Sequence, residues 1–166
     1  MTTKDEEYVW EKKITLNVNE KDYEIVVEPQ WTLREVLHEK LGFTGTKEMC
    51  DRGACGSCTV IMDSRPILSC MTLAIECEGK KIETIEHLNQ TDHPLIDAYS
   101  KHHSMQCGYC TPGFVMTSKA LLDENPDPTE EEIKDALEGN ICRCGTYPAH
   151  IPAVKEAAEK ITGKEG

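Results

Sequence analysis

The spacing of apolar residues changes near residue 89, and the first half of the chain has the spacing of strands. Apolar and polar residues alternate through Ile14, Leu16 and Val18, and the alternation resumes with Tyr23 and Ile25 after the polar residues 19–22. Alternation with a period of two is typical of half-buried β-strands. These two runs therefore predict a β-hairpin.

A helix and more strands follow this hairpin. Thr32 and Glu35 have the spacing of a capping box ahead of "LREVLHEKL", and Gly42 marks the predicted end of that helix. The run "CTVIMDSRPILSC" predicts a strand pair that turns at residues 63–66, and "KKIETIEHL" predicts one more short strand. Strands around a single helix indicate an α+β domain, which we place at residues 1–88.

From residue 89 onwards the apolar residues have helical spacing. The predicted helices are "HPLIDAYSKHH", "TPGFVMTSKALLDEN" with Thr111 as N-cap, "TEEEIKDALEG" with a capping box, and a last helix from about Pro148. The apolar stripe predicted for the last helix consists of Ile151, Val154, Ala158 and Ile161. Four short helices indicate a helical bundle as a second domain, at residues 89–166.

The charge and the cysteine content narrow the function classes. The formal net charge of −12 argues against binding to nucleic acid or to an anionic membrane surface. The acidic start lacks the pattern of a secretory signal, and no apolar run reaches membrane-spanning length, so we expect no membrane insertion. Nine clustered cysteines predict metal binding in the reducing cytoplasm rather than disulfides.

The first cysteine set has the spacing of a plant-type [2Fe–2S] site. Its members are Cys50, Cys55, Cys58 and Cys70. A cluster of two irons, two sulfides and four thiolates carries a net negative charge that grows on reduction. The small residues between the first three cysteines would let backbone N–H groups approach such an anion. A structural zinc site or a disulfide framework is the alternative.

The second cysteine set combines C-x2-C with C-x-C. Its members are Cys107, Cys110, Cys142 and Cys144. Two predicted helices fill the stretch between the two pairs, so four ligands could converge at helix ends. Zinc also accepts paired cysteines at such short spacings, so the spacing fits either kind of metal site. Cys77 remains outside both sets, and we predict a buried strand thiol rather than a ligand there.

Three motifs in a fixed order resemble a known family. "CDRGACGSCTV", "QCGYCTPG" and "GNICRCGTYP" look like the small iron–sulfur subunit of the molybdenum hydroxylases, the xanthine oxidase family, over residues 14–161. The resemblance implies a plant-ferredoxin-like β-grasp domain with a distal [2Fe–2S] cluster and a four-helix-bundle domain with a proximal one. It also implies that Gln106 and Cys144 contact a molybdopterin cofactor held by another subunit. The acidic stretch before Trp10 and the two prolines of "YPAHIPAV" depart from the family pattern.

This resemblance implies an electron-transfer role without bond chemistry on the chain itself. The expected assembly is a hetero-oligomer with a large molybdopterin-binding subunit and a medium FAD-binding subunit. Electrons would pass singly between the molybdopterin centre and FAD or another acceptor. Two other classes stay open: a free-standing ferredoxin-type carrier, and a zinc-stabilised interaction module.

Overall fold

A computed structural model describes residues 10–163 and confirms the α+β class. The acidic stretch before Trp10 lies outside the described residues. The strands are β1 (Lys12–Val18), β2 (Lys21–Val27), β3 (Thr59–Met62), β4 (Arg65–Leu68) and β5 (Lys81–Glu83). The helices are α1 (Leu33–Glu35, continued by a π-helical segment at Val36–Lys40), α2 (Ile85–Gln90), α3 (Pro94–Lys101), α4 (Thr111–Glu124), α5 (Glu130–Leu137) and α6 (Tyr147–Thr162). Two short 3-10 turns, Ser69–Met71 and Ala74–Cys77, lie between β4 and β5.

The five strands form one mixed sheet in the order β2-β1-β5-β3-β4. Both predicted strand pairs are confirmed as antiparallel hairpins. Asn19 and Glu20 turn the first hairpin with φ of 51° and 64°, the two successive positive values that a tight two-residue turn requires. Asp63 and Ser64 turn the second hairpin in the same way, and Pro66 lies within β4.

The capping box that begins α1 is confirmed. The Thr32 side chain accepts a hydrogen bond from the Glu35 N–H, and the Glu35 carboxylate accepts one from the Thr32 N–H at 2.7 Å. Leu33, Val36 and Leu37 are buried against the sheet. This contact makes α1 part of the N-terminal hydrophobic core, which is separate from the core of the helical half.

Two helix starts differ from the prediction. "KKIETIEHL" forms β5 and then α2, because Ile85 and Leu88 share one face at helical spacing and are both buried in the core of the helical half. The N-cap of α4 is Cys110 rather than Thr111. Thr111 is already the first helical residue, and the Phe114 N–H donates to the Cys110 carbonyl at 3.2 Å.

The predicted stripe of α6 is partly wrong. Val154 and Ala158 are buried, but Ile161 is 43 % exposed. The buried face of α6 instead consists of His150, Ala153, Val154, Ala157 and Ala158, which follow the spacing i, i+3, i+4, i+7 and i+8. This face packs on α3 and α5, while α4 contacts α3, α5 and β3. Small alanine side chains allow such close contacts between helices. The prediction chose Ile161 because it is hydrophobic, but the close contacts are made by the alanines.

No helix within residues 10–163 is both long enough and apolar enough to cross a membrane.

Candidate metal centres

The first cysteine set lies on a loop between α1 and β3 and on the 3-10 turn after β4. Cys55, Cys58 and Cys70 are buried, and Cys50 is half-buried. The structure brings the four sulfurs together in pairs, because the Cys55 thiol hydrogen-bonds to Cys50 and the Cys70 thiol hydrogen-bonds to Cys58. The four residues of the first set therefore lie together as two thiol pairs.

Backbone N–H groups of the same loop point at these sulfurs. The Ala54 N–H donates to Cys50 Sγ at 3.3 Å, and the Gly53 N–H donates to Cys70. Gly53 has a φ of 73°, which allows the loop to turn its N–H groups inwards. Burial alone would raise the pKa of Cys50, but hydrogen bonds, chiefly from the N–H groups of Arg52 and Ala54, outweigh it and lower the pKa to about 7.

A buried arginine that the sequence reading missed holds this loop in place. Arg34 is only 4 % exposed, and its guanidinium forms ion pairs with Glu48 at 2.9 Å and Asp51 at 3.2 Å. These two carboxylates flank Cys50 in the sequence. Arg34 lies on the polar-looking side of a short helix, so only its position in the first turn of α1 could have drawn attention to it.

The second cysteine set lies on the loops before α4 and α6. Cys110 and Cys142 are buried and share a thiol hydrogen bond, and Cys107 lies near enough to raise the pKa of Cys110 as a minor cause after burial. The Cys144 N–H donates to Cys142 Sγ, and the Cys144 side chain is half-buried. The structure therefore brings Cys110 and Cys142 into direct contact, places Cys107 near Cys110, and connects Cys144 to Cys142 through its backbone N–H.

Thr146 adds a hydroxyl contact to this second set. Its Oγ1 lies 3.1 Å from Cys142 Sγ and 3.1 Å from Nε2 of His150. Burial raises the pKa of Cys142, but hydrogen bonds from the hydroxyl and the N–H of Thr146 outweigh it and lower the pKa to about 7. Both residues were absent from the sequence prediction, although the i, i+4 spacing of Thr146 and His150 at a helix start was a visible signal.

The two cysteine loops touch each other directly. The Ile141 N–H donates to the Cys55 carbonyl at 2.9 Å, and the Asn140 side-chain amide donates to the Gly56 carbonyl at 3.2 Å. Gly113 of α4 packs so closely on Gly56 that an added Cβ would overlap its carbonyl oxygen. The residue before Cys142 is therefore hydrogen-bonded to a cysteine of the first set.

The predicted contact residue Gln106 is exposed, and so is its neighbour Cys107. Met105 and Tyr109 add apolar exposed area on the same loop, and the Tyr109 hydroxyl donates to the Glu48 carbonyl. Exposed apolar side chains beside polar ones are common where a protein meets a partner. Gln106 is therefore accessible to a second subunit.

Cys77 does not take part in either set. It is fully buried in the N-terminal core, and its thiol donates to the Leu73 carbonyl at 3.4 Å. Burial raises its pKa to about 11, which keeps the thiol protonated and unreactive. The prediction of a buried thiol is confirmed for Cys77, although it lies in a 3-10 turn rather than in a strand.

Thiol pairs and inward N–H groups form a donor set that suits an electron-rich iron–sulfur cluster. Backbone donors offset the charge of cluster sulfurs, and the first loop supplies them to Cys50, Cys55 and Cys70. In residues 10–163, no three His, Cys, Asp or Glu side chains are arranged to hold a metal ion. The chemistry of the donor set therefore fits a cluster, although the arrangement is not that of a preformed single-ion site.

Two family models match the chain. A "2Fe-2S iron-sulfur cluster binding domain" matches residues 2–97, and a "[2Fe-2S] binding domain" matches residues 84–155. The nicotine 6-hydroxylase small subunit of Paenarthrobacter nicotinovorans is 41% identical over 93% of this chain and 94% of its own length. The nicotinate dehydrogenase small FeS subunit of Eubacterium barkeri is 44% identical over 89% of this chain and 95% of its own length.

Solved structures agree with this similarity. A chain of quinoline 2-oxidoreductase from Pseudomonas putida 86 superposes with a TM-score of 0.88 and 39% identity, over 93% of this chain and 98% of that chain. The aldehyde oxidoreductase from Desulfovibrio gigas also superposes with a TM-score of 0.88, at 38% identity, over 93% of this chain but only 18% of that longer chain. The same fold therefore occurs both as a separate chain and as part of a longer one.

Proposed function

Because the chain belongs to the family of small iron–sulfur subunits of molybdenum hydroxylases, we propose that it relays single electrons between a molybdopterin centre and FAD or another acceptor. It is a non-catalytic electron-transfer subunit of an oxidoreductase complex. The relay would use two [2Fe–2S] clusters, each of which supplies a one-electron couple when bound. The observation that carries this proposal is the direct hydrogen bond between the two cysteine loops.

We assign each cluster to one cysteine set. Paired thiols and inward N–H groups support the assignment for the first set, and the Cys110–Cys142 thiol pair supports it for the second. The proposed ligands of the first cluster are Cys50, Cys55, Cys58 and Cys70. The proposed ligands of the second cluster are Cys107, Cys110, Cys142 and Cys144.

Metal analysis and EPR spectroscopy test the number of clusters. The intact protein should contain about four irons and four labile sulfides per chain and show two distinct reduced-cluster signals. Cys55→Ala should abolish one signal and Cys110→Ala the other, while Cys77→Ala, the matched control, should keep both. Two irons with one zinc would contradict the second assignment, and a colourless zinc protein would favour an interaction module.

We further propose two domains, at residues 1–88 and 89–166. The N-terminal core and the mixed sheet with α1 on one face support a plant-ferredoxin-like β-grasp domain. The mutual contacts of α3, α4, α5 and α6 support a four-helix bundle, whose core also includes Ile61, Ile85 and Leu88 of the first range. Since the cysteine sets do not interleave in the sequence, fragments cut at residues 89–92 should each hold one cluster. A fragment that needs cysteines of the other half would contradict this division.

The proposed partners are a large molybdopterin-binding subunit and a medium FAD-binding subunit. The exposed position of Gln106 and the half-buried position of Cys144 support the proposal that the second cysteine set faces the molybdopterin subunit and that both residues contact the pterin. Purification under native conditions should therefore recover a hetero-oligomer. A monomer that separates readily from any enzyme would favour a free-standing ferredoxin. The cytoplasmic location stays a prediction from the clustered free cysteines.

A further inference from the structure

The Thr146 side chain has an unusual position for a helix N-cap. Threonine at this position normally accepts a hydrogen bond from a backbone N–H of the first turn. Thr146 is the N-cap residue of α6, but its side chain makes no capping hydrogen bond. Its hydroxyl instead lies between Cys142 Sγ and His150 Nε2, at 3.1 Å from each. The hydroxyl therefore contacts Cys142 Sγ instead of capping the helix.

His150 is held rigidly behind this hydroxyl. The residue is 1 % exposed, and its ring stacks on Phe114 with centroids 4.1 Å apart and an angle of 11° between the planes. Burial lowers the pKa of His150 to about 4, so the ring is neutral at pH 7. Stacking and burial fix the orientation of the ring, and so fix the position of Nε2 relative to the Thr146 hydroxyl.

The direction of the two hydrogen bonds follows from the donors available. A cysteine that binds iron is a thiolate and only accepts, so the single hydroxyl proton of Thr146 is donated to Cys142. The Thr146 oxygen then accepts from His150, which requires the tautomer with the proton on Nε2. In this tautomer Nδ1 is an acceptor, and it has no hydrogen-bond partner within the described residues.

We propose that Thr146 and His150 are positioning residues that raise the redox potential of the second cluster, by fixing a hydroxyl hydrogen bond on Cys142. This inference rests on the proposed function, because it needs a cluster at the second cysteine set. Reduction adds negative charge to the cluster, so a donor to its sulfur stabilises the reduced state more than the oxidised state. His150 contributes by holding the hydroxyl oxygen in one orientation.

Thr146→Val in the purified complex tests the proposal, because valine has nearly the same shape and no hydroxyl. We expect about a tenfold smaller equilibrium constant for reduction of the second cluster, which is a potential lower by about 59 mV for a one-electron couple. The EPR-monitored redox titration should show no change at the first cluster. ENDOR spectra in H2O and D2O should show exchangeable protons coupled to the second cluster; the coupling of the hydroxyl proton should vanish in Thr146→Val, while those of the Cys144 N–H and the residue 146 N–H remain.

Two further variants keep the test decisive. Thr146→Ser retains the hydroxyl and should restore most of the potential, while Thr117→Val, which removes a hydroxyl bonded only to the Gly113 carbonyl of α4, should change nothing. The double variant Thr146→Val with His150→Phe replaces both partners by apolar groups and leaves no buried donor without an acceptor. This variant should show the same lower potential even if Thr146→Val alone assembles poorly.

The outcomes separate the inference from the proposed function. If the wild-type complex shows two clusters but Thr146→Val and the double variant keep the wild-type potential and every exchangeable coupling of the wild type, the inference is overturned and the proposed function stands. If both variants lose the second cluster, the hydroxyl is needed for assembly and the inference is again overturned. If the wild-type protein shows no second cluster, the proposed function fails, and the inference fails with it.

Discussion

Substitution of Gly113 by alanine should push α4 and the first cysteine loop apart. An ideal Cβ at this position would overlap the Gly56 carbonyl oxygen and lie 2.9 Å from the Ser57 Cα. Both contacts are backbone atoms of the first cysteine loop, so no flexible side chain can move aside. Carbon atoms pack at about 3.5–4.0 Å, so the loop and α4 must separate by roughly 0.6–1.1 Å.

This displacement should lower the free energy of unfolding by an amount that follows from the contacts it disturbs. It would stretch the 2.9 Å hydrogen bond from the Ile141 N–H to the Cys55 carbonyl beyond the normal range, and the Asn140–Gly56 bond with it. Overpacking costs about 1–3 kcal/mol, and each lost hydrogen bond costs about 0.5–1.5 kcal/mol, so the total is about 2–6 kcal/mol. For a chain of this size the apparent Tm should fall by at least about 4 °C.

The assay follows thermal loss of the visible cluster absorbance at one fixed heating rate, with iron release to a chelator as a second measure. Gly139→Ala is the matched control, because Gly139 is exposed close to the same interface and its Cβ would meet no atom within 4 Å. The control should keep the wild-type Tm. Equal behaviour of Gly113→Ala and Gly139→Ala would refute the close approach of α4 to the first loop.

Two more substitutions test other contacts. Arg34→Met should loosen the loop around Cys50 by about 1–2 kcal/mol, since the lost charge-assisted hydrogen bonds go to half-exposed carboxylates, and chelators should then take iron faster from the first cluster than in the exposed control Arg65→Met. Gln106→Ala should leave both clusters assembled and reducible by dithionite, but substrate-driven reduction in the complex should be slower in stopped-flow mixing. Unchanged substrate-driven reduction would indicate an ordinary surface residue.

Local patterns predicted most elements of the fold because their causes are local. The capping boxes of α1 and α5 and both hairpin turns depend on residues within four positions of each other, and all four are present. The exposed Ile161 and the start of α2 at Ile85 depend on which surface packs against which, and this information is not local. Periodicity therefore predicts that a helix exists better than it predicts which face is buried.

The candidate sites show the same division. Cysteine spacing grouped the thiols, because the ligands of one cluster lie on short loops. Arg34 and His150 were missed, because each acts on a cysteine through an intermediate residue. The hydrogen bond from the Ile141 N–H to the Cys55 carbonyl was missed because it joins residues 86 positions apart through backbone atoms that no residue type reveals.

The first turn of α4 connects the features that these tests address. Cys110 is its N-cap, Gly113 contacts the first cysteine loop, and Phe114 stacks on His150 behind the second set. Residues three and four positions apart lie close together on a helix, so one turn presents all three groups at once. A rigid turn therefore fixes the distance between the two cysteine sets and the orientation of the hydroxyl that contacts Cys142. This arrangement explains why a glycine without a positive φ is needed at residue 113: the requirement is close approach between α4 and the first cysteine loop, not backbone conformation.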